Sequence, residues 1–295
     1  FILSWRDLIG LLFVCLIFGS MLTLFIMDKG SNKVDLIYWI FKEKPLFWWR
    51  FMRIFGVVSY NGRNYQGWQI QPDAPSIQEE IEKQLSKFFN REVSIYGAGR
   101  TDAGVHALGQ TFHFDIDEEH VDLDRLLYSL NKMLPKDIKI NDLEQVDDDF
   151  HARFSAKRKH YSYSIVLDDK SVFFYDTTYV CPFKIDIKML KETLTYFIGI
   201  HNFKNFTSKE EDEANFIREI YSIDVYFADN IITINFIGNG FMRYMIRLIV
   251  GTVLEVAKGK LKQSKVKELL NDNSAREIVS YKAPAEGLML VEVEY

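Results

Sequence analysis

From residue 53 onward the hydrophobic period keeps switching between that of a strand and that of a helix, and this limits the folds open to the chain. Residues 53–60 (RIFGVVSY) read as a strand that Asn61 and Gly62 end with turn chemistry. Ser76, with Glu79 three residues later, has capping-box spacing. Ile77, Ile81, Leu85 and Phe88 or Phe89 then recur on one helical face. Residues 93–96 and 110–116 read as short strands, with Phe112, Phe114 and Ile116 alternating in the second. A helix fits 123–134, where Pro135 stops it, and a strand follows near 138–143. The second half repeats that grammar. A strand at 161–167 precedes a helix over 187–197, for which Asp186 is the N-cap. Strands at 221–227 and 231–237 flank a turn at Asp229 and Asn230. A long apolar helix from 241, a short one over 266–270 and a strand at 288–294 complete the order. Strands interrupted singly by helices, with hairpin-like neighbours, predict an α+β fold. The expected form is two similar lobes, residues 52–155 and 156–295, each a mostly antiparallel sheet with helices on one face and a cleft between them.

Residues 1–51 do not fit that pattern. Residues 8–27 are an uncharged, mostly apolar run long enough to cross a bilayer as a helix. Lys29, Lys33, Lys42, Lys44, Arg50 and Arg53 follow it, against Arg6 before it, so a true span would leave the rest of the chain cytoplasmic. No small-residue cleavage site follows the run, which disfavours a signal peptide. Met52 directly precedes the first strand and would be a natural start. The expectation is that residues 1–51 lie outside the working domain, with a membrane anchor as the rival reading.

Of the 295 residues 48% are hydrophobic and 26% charged, enough for a substantial core. The formal charge of −5 argues against coating nucleic acid through bulk positive charge, but leaves room for a local basic cleft. Two cysteines, Cys15 and Cys181, make neither a disulfide framework nor a thiolate zinc site. The six histidines form no HxH or HxxxH pair, so no metal and no cofactor is expected, and the compartment is expected to be the reducing cytoplasm.

Between two predicted strands lies Gly97-Ala98-Gly99-Arg100-Thr101-Asp102-Ala103-Gly104-Val105-His106-Ala107. Its glycines and alanines leave little bulk, so something must approach this backbone closely. It is neither a Walker loop nor a dinucleotide fingerprint, because no Gly-Lys-Ser/Thr follows and it is not a strand-to-helix turn. Taken alone, an aspartate here satisfies nearby backbone N–H groups.

The string GRTDAGVHA resembles the catalytic loop of the tRNA pseudouridine synthase A family. Tyr60-Asn61-Gly62 through Tyr65-Gln66-Gly67-Trp68-Gln69, with Ser76-Ile77-Gln78, is similar to that family's first strand, turn and helix start. His151-Ala152-Arg153-Phe154, with Arg158 and Tyr161-Ser162-Tyr163, resembles its central motif. Gly238-Asn239-Gly240-Phe241 through Arg247 to Thr252 resembles its late helix, and Ala283 to Leu288 its closing loop and strand. The blocks occur in order across nearly all of 53–295, with no counterpart for 1–51. The resemblance implies an isomerase that converts uridine to pseudouridine at positions 38 to 40 of the tRNA anticodon stem-loop, with Asp102 as nucleophile or base. It also implies that Arg247 approaches Asp102, that Tyr161 lies against the uracil, and that Arg100 fills the space of the flipped base. A homodimer in which one tRNA touches both subunits is implied as well.

The chemistry makes its own demands. Asp102 must be ionised in a site that excludes water, and burial alone raises a carboxylate's pKa, so a cation is needed. Arg247 stands in a helix otherwise dominated by Met, Ile, Leu and Val, where an arginine is rarely buried unpaired, although one at a helix edge can snorkel to solvent. Flipping a base costs roughly a few kcal/mol, and stacking it on one aromatic ring returns ~1–3 kcal/mol. Tyr161 can supply that ring. Its rival role is an aromatic on a strand face shared with Tyr163. Residues 151–160 hold Arg153, Lys157, Arg158 and Lys159 without an acid, just after Asp147, Asp148 and Asp149, which marks a candidate phosphate-binding segment. Lys258, Lys260, Lys262 and Lys265 would extend it. A non-catalytic RNA-binding protein and a membrane-tethered form of the enzyme are the alternatives.

Overall fold

The computed structural model describes residues 51–118, 120–167, 175–208, 215–271 and 275–295. The apolar run at 8–27, with the helix and span expected of it, lies outside the described residues. No helix among the described residues is long and apolar enough to cross a membrane.

The strands expected in the two halves join in one continuous sheet. On one side are β1 (Met52–Tyr60), β3 (His106–Ile116) and β4 (Ile138–Val146), with the short β2 (Tyr96–Gly97) beside β3. On the other are β5 (Arg158–Val166), β7 (Gly199–Asn202), β8 (Ile217–Ala228) and β9 (Ile231–Gly238), with β6 (Tyr179–Val180) beside β5. β10 (Leu288–Glu294) joins them, giving the order β4-β1-β3-β10-β5-β9-β8-β7. Pairing is antiparallel except where β10 meets β3 and β5 meets β6. β10 is thus the splice: Met289 and Leu290 pair with His106 and Ala107 on one side and with Ser162 and Tyr161 on the other.

Strand chemistry explains the burial. Ile232, Ile234 and Phe236 alternate along β9 and are fully buried. In β3 the expected Phe112, Phe114 and Ile116 are buried, but so are Thr111 and His113 between them. Both faces of that strand are therefore covered, the second by the rings of Tyr96, Phe150 and His151 that pack on His113.

The helices begin where their caps place them. Ser76 accepts a hydrogen bond from the Glu79 N–H at the start of α1 (Ile77–Phe89), whose last turn closes on left-handed Asn90. Asp122 caps α2 (Leu123–Met133), which packs on α1, and Asp186 caps α3 (Ile187–Leu194). α3 packs on α4 (Met245–Ala257), in which every residue but Glu255 is buried; α5 (Gln263–Leu269) follows. These are the helices packed on a mostly antiparallel sheet that an α+β fold requires.

Several boundaries differ from expectation. α4 starts at Met245 rather than at 241, because Tyr244 has φ 63°, a left-handed conformation that a right-handed helix cannot include. The helix expected over 187–197 ends at Leu194 and tightens into a 3-10 turn at Thr195–Phe197. Only the end of the 93–96 segment pairs, as β2, while β6 and β7 have no counterpart in the sequence reading.

Gly251 sets how closely α4 meets the segment before β10. A Cβ there would fall 2.2 Å from the Tyr281 carbonyl oxygen, a contact no atom pair tolerates. One turn earlier the Ala283 N–H donates to the Arg247 carbonyl at 2.9 Å. Because the obstacle is backbone, Gly251→Ala should destabilise the fold by about 2 kcal/mol, as overpacking does. Urea unfolding would read this, and a variant with wild-type stability would show that the segment gives way freely.

Candidate active site

The loop from 98 to 105 is fastened along its length. Trp68, 2% exposed, provides the close approach expected at the glycines: a Cβ on Gly97 would lie 2.5 Å from its indole nitrogen. The Trp68 N–H donates to the Thr101 carbonyl at 3.2 Å, and the Gly104 N–H to the Tyr65 carbonyl at 3.3 Å. The hydroxyls of Tyr60 and Thr101 are 2.8 Å apart. From β5, Lys159 Nζ donates to the Ala98 carbonyl at 2.7 Å; from β3, the Gln110 amide donates to the Gly99 carbonyl at 2.9 Å. A loop tied at so many points presents Asp102 in one place.

Arg247 reaches that place from α4. Its Nη1 is 3.4 Å from Asp102 Oδ2, and its Nε donates to the Ala283 carbonyl at 2.9 Å. At 9% exposure Arg247 is not snorkelling. The contact is longer than the ~2.7–2.9 Å of a strong charge-assisted bond, so it only partly offsets desolvation. Burial holds the Asp102 carboxyl above the usual carboxylate range, while Arg247, then Arg243 and Lys282, pull it back.

Tyr161 is brought to the same place by β5. It is 8% exposed and meets the Phe241 ring edge-on, with centroids 5.3 Å apart. Burial, with Tyr60 and Asp102 nearby, raises its phenol pKa, so it keeps its proton at neutral pH. Tyr163, two residues on, is fully buried and donates its hydroxyl hydrogen to the Pro284 carbonyl at 2.9 Å. The two tyrosines share a strand face, yet Tyr163 braces the closing segment while Tyr161 lies within electrostatic range of Asp102.

The other residues singled out in the sequence are more scattered. Arg100 is exposed, and its Nε donates to Gln69 Oε1 at 3.1 Å. Arg153 is exposed, 5.7 Å from the Phe154 ring centre, and Lys157 is exposed. Arg158 pairs with Glu294 at 3.7 Å and lies 5.4 Å from the Tyr221 ring centre. Lys159 points inward; burial, then Arg153 and Arg218, lowers its pKa to about 8. Lys258 is paired with Glu255, and Lys265 with Glu268 and Glu277. Among the described residues no three histidine, cysteine or carboxylate groups converge as metal ligands do.

Sequence reasoning missed Arg243, Tyr244 and Lys282: both cations, like Arg247, lie against the Tyr244 ring. Arg243 and Tyr244 belong to the late-helix block, and Lys282 directly precedes the closing one, so block membership was the available signal.

The arrangement offers a largely buried aspartate held by an arginine, with a protonated tyrosine within electrostatic range. A family described as tRNA pseudouridine synthase matches residues 57–155 and 194–295. The chain belongs to the tRNA pseudouridine synthase family. A tRNA pseudouridine synthase A 1 of Bacillus cereus is 39% identical over 247 residues, 82% of this chain and 98% of the relative. A tRNA pseudouridine synthase A of Acetivibrio thermocellus is 38% identical over 240 residues, covering 81% and 98%. One of Ruminiclostridium cellulolyticum is 39% identical over 241 residues, covering 81% and 97%. Asp102 lies in the first matched stretch of this synthase, and Arg247 in the second.

Removing one partner of a buried pair leaves the other charge unpaired. Arg247→Ala should therefore cost roughly 3 kcal/mol of stability, at the low end of the range for such pairs because the contact is long. Thermal unfolding checks this, and an unchanged Tm would mean that the pair bears no part of the fold.

Proposed function

We propose that this tRNA pseudouridine synthase uses Asp102 as its catalytic carboxylate, acting on uridines at positions 38 to 40 of the anticodon stem-loop. The observation that carries the reading is the Arg247–Asp102 pair, which supplies the cation that an ionised carboxylate in a desolvated site requires. The reaction breaks the bond from C1′ to uracil N1 and forms one from C1′ to C5. N1 gains a proton and C5 gives one up. Asp102 serves as nucleophile on the ribose or uracil, or as the base that starts elimination. Tyr161, protonated and within electrostatic range of Asp102, stacks on the uracil and can donate a hydrogen bond to it. Arg100, exposed at the edge of the loop, fills the gap the base leaves in the RNA. Arg153, Lys157 and Arg158 contact phosphates on the approach. Lys159 belongs to the same segment and acts from within, by bracing the loop.

On this reading, residues 52–155 bring the Asp102 loop and residues 156–295 bring Tyr161 and Arg247, with the cleft between the two halves. The synthase works in the cytoplasm as a homodimer, with one tRNA touching both subunits. The isomerase core is Met52 to Tyr295.

A tRNA carrying tritium at uridine C5 loses that label to water when the base is reattached. The protein should release tritium from tRNA made without pseudouridine, and Asp102→Asn should reduce release by at least about a thousandfold. Equal release by the two proteins would remove Asp102 from the chemistry.

The raised pKa of Asp102 carries a sign. Activity needs the ionised form, so kcat/KM should fall on the acid side through a pKa above the usual aspartate value, and be flat just above it. A profile that stays flat down to the ordinary carboxylate range would contradict this.

A further inference from the structure

Three cations crowd one aromatic ring beside Asp102. Lys282 Nζ lies 4.3 Å from the centre of the Tyr244 ring, Arg243 Cζ 4.9 Å and Arg247 Cζ 5.6 Å. Arg243 also donates to the Tyr244 hydroxyl at 3.0 Å. Arg247 is spent on Asp102 and the Ala283 carbonyl. Arg243 and Lys282 are exposed, and neither forms an ion pair within 4 Å among the described residues. One carboxylate thus faces three positive groups, and two positive charges are left over.

The fold holds this cluster at a cost. Like charges gathered around a ring repel one another, and the ring's negative face offsets only part of that. Tyr244 itself has φ 63°, which bulky L-residues rarely adopt. A strained residue that collects unpaired cations beside a reaction centre points to an anion that is to arrive there.

We propose that Arg243 and Lys282, held on the Tyr244 ring, form a binding site for the RNA phosphodiester next to the target uridine. The inference rests on the reading of Asp102 as the catalytic carboxylate. The phosphates flanking a nucleotide are joined to the same ribose whose base must meet Asp102. Cations close enough to act on the charge of Asp102 are therefore close enough to act on those phosphates. The guanidinium can grip two phosphate oxygens at once, while the ammonium adds a point charge on a flexible stem. This grip fixes the sugar while the base is drawn out of its stack, a task that exposed Arg153 and Lys157 on another segment do not perform.

The test uses Arg243→Gln and Lys282→Gln in the full chain, with retained Tm as the check on folding. Filter binding to unmodified tRNA between about 50 and 200 mM salt gives the slope of log affinity against log salt. Each variant should lower that slope by roughly 0.7–0.9, the signature of one lost phosphate contact. In tritium release, KM should rise about tenfold with most of the loss on KM rather than kcat, and Arg243→Lys should recover part of it. A stem-loop RNA with an uncharged methylphosphonate beside the target uridine should weaken binding to the wild type but weaken binding to the variants no further. Unchanged slopes would overturn the proposal. So would a variant whose only change is an upward shift of the acid limb, since the cations would then serve Asp102 alone. A wild type that binds tRNA but releases no tritium defeats the catalytic reading instead, and leaves the slope measurement standing.

Discussion

Arg247 is the point on which the structure turns. Its side chain spans from Asp102, 145 positions away in the chain, to the Ala283 carbonyl, 36 positions away on the other side. Its own carbonyl accepts the Ala283 N–H in return. One residue therefore locks α4, the segment leading into β10 and the Asp102 loop together. It does so at a cost, because a guanidinium on a helix that is buried almost throughout must be desolvated. The pairing at 3.4 Å leaves the aspartate above its ordinary pKa and so not fully compensated. Burial raises the carboxyl's pKa and Arg247 lowers it, so the protonation of Asp102 is set by the balance of the two.

Much of this was legible in the sequence where local chemistry decides. Caps at Ser76 and Asp186 set two helix starts, because the first N–H groups of a helix need acceptors within a few residues; Asp122 does the same for α2, though the sequence reading placed that helix by its apolar pattern and Pro135. The alternation in β9 and in the second half of β3 marked strands for the same local reason. The sequence blocks singled out Asp102, Tyr161 and Arg247, which come from the loop before β3, from β5 and from α4.

What could not be read depended on partners distant in the chain. β3 begins four residues earlier than its alternation shows, because His106 and Ala107 are ordered by pairing with β10. The left-handed Tyr244 is invisible to periodicity, which saw only an apolar run continuing through Phe241. Lys159 stood out as one more positive charge in a basic segment. Only the position of β5 against the Ala98 carbonyl shows that its charge is turned inward, and neither composition nor spacing carries that direction.

The position of β10 has a consequence for how the chain comes off the ribosome. It follows every other described strand in the sequence yet occupies the middle of the sheet, between β3 and β5. Until it has been made, β3 and β5 each present an open edge of unpaired backbone groups, the kind that recruits strands from neighbouring chains. The sheet strands beside the Asp102 loop and the strand that carries Tyr161 stay unjoined until β10 is threaded between them. The candidate site would then be completed late and all at once, and a nascent chain would be most exposed to misassembly just before β10 is added.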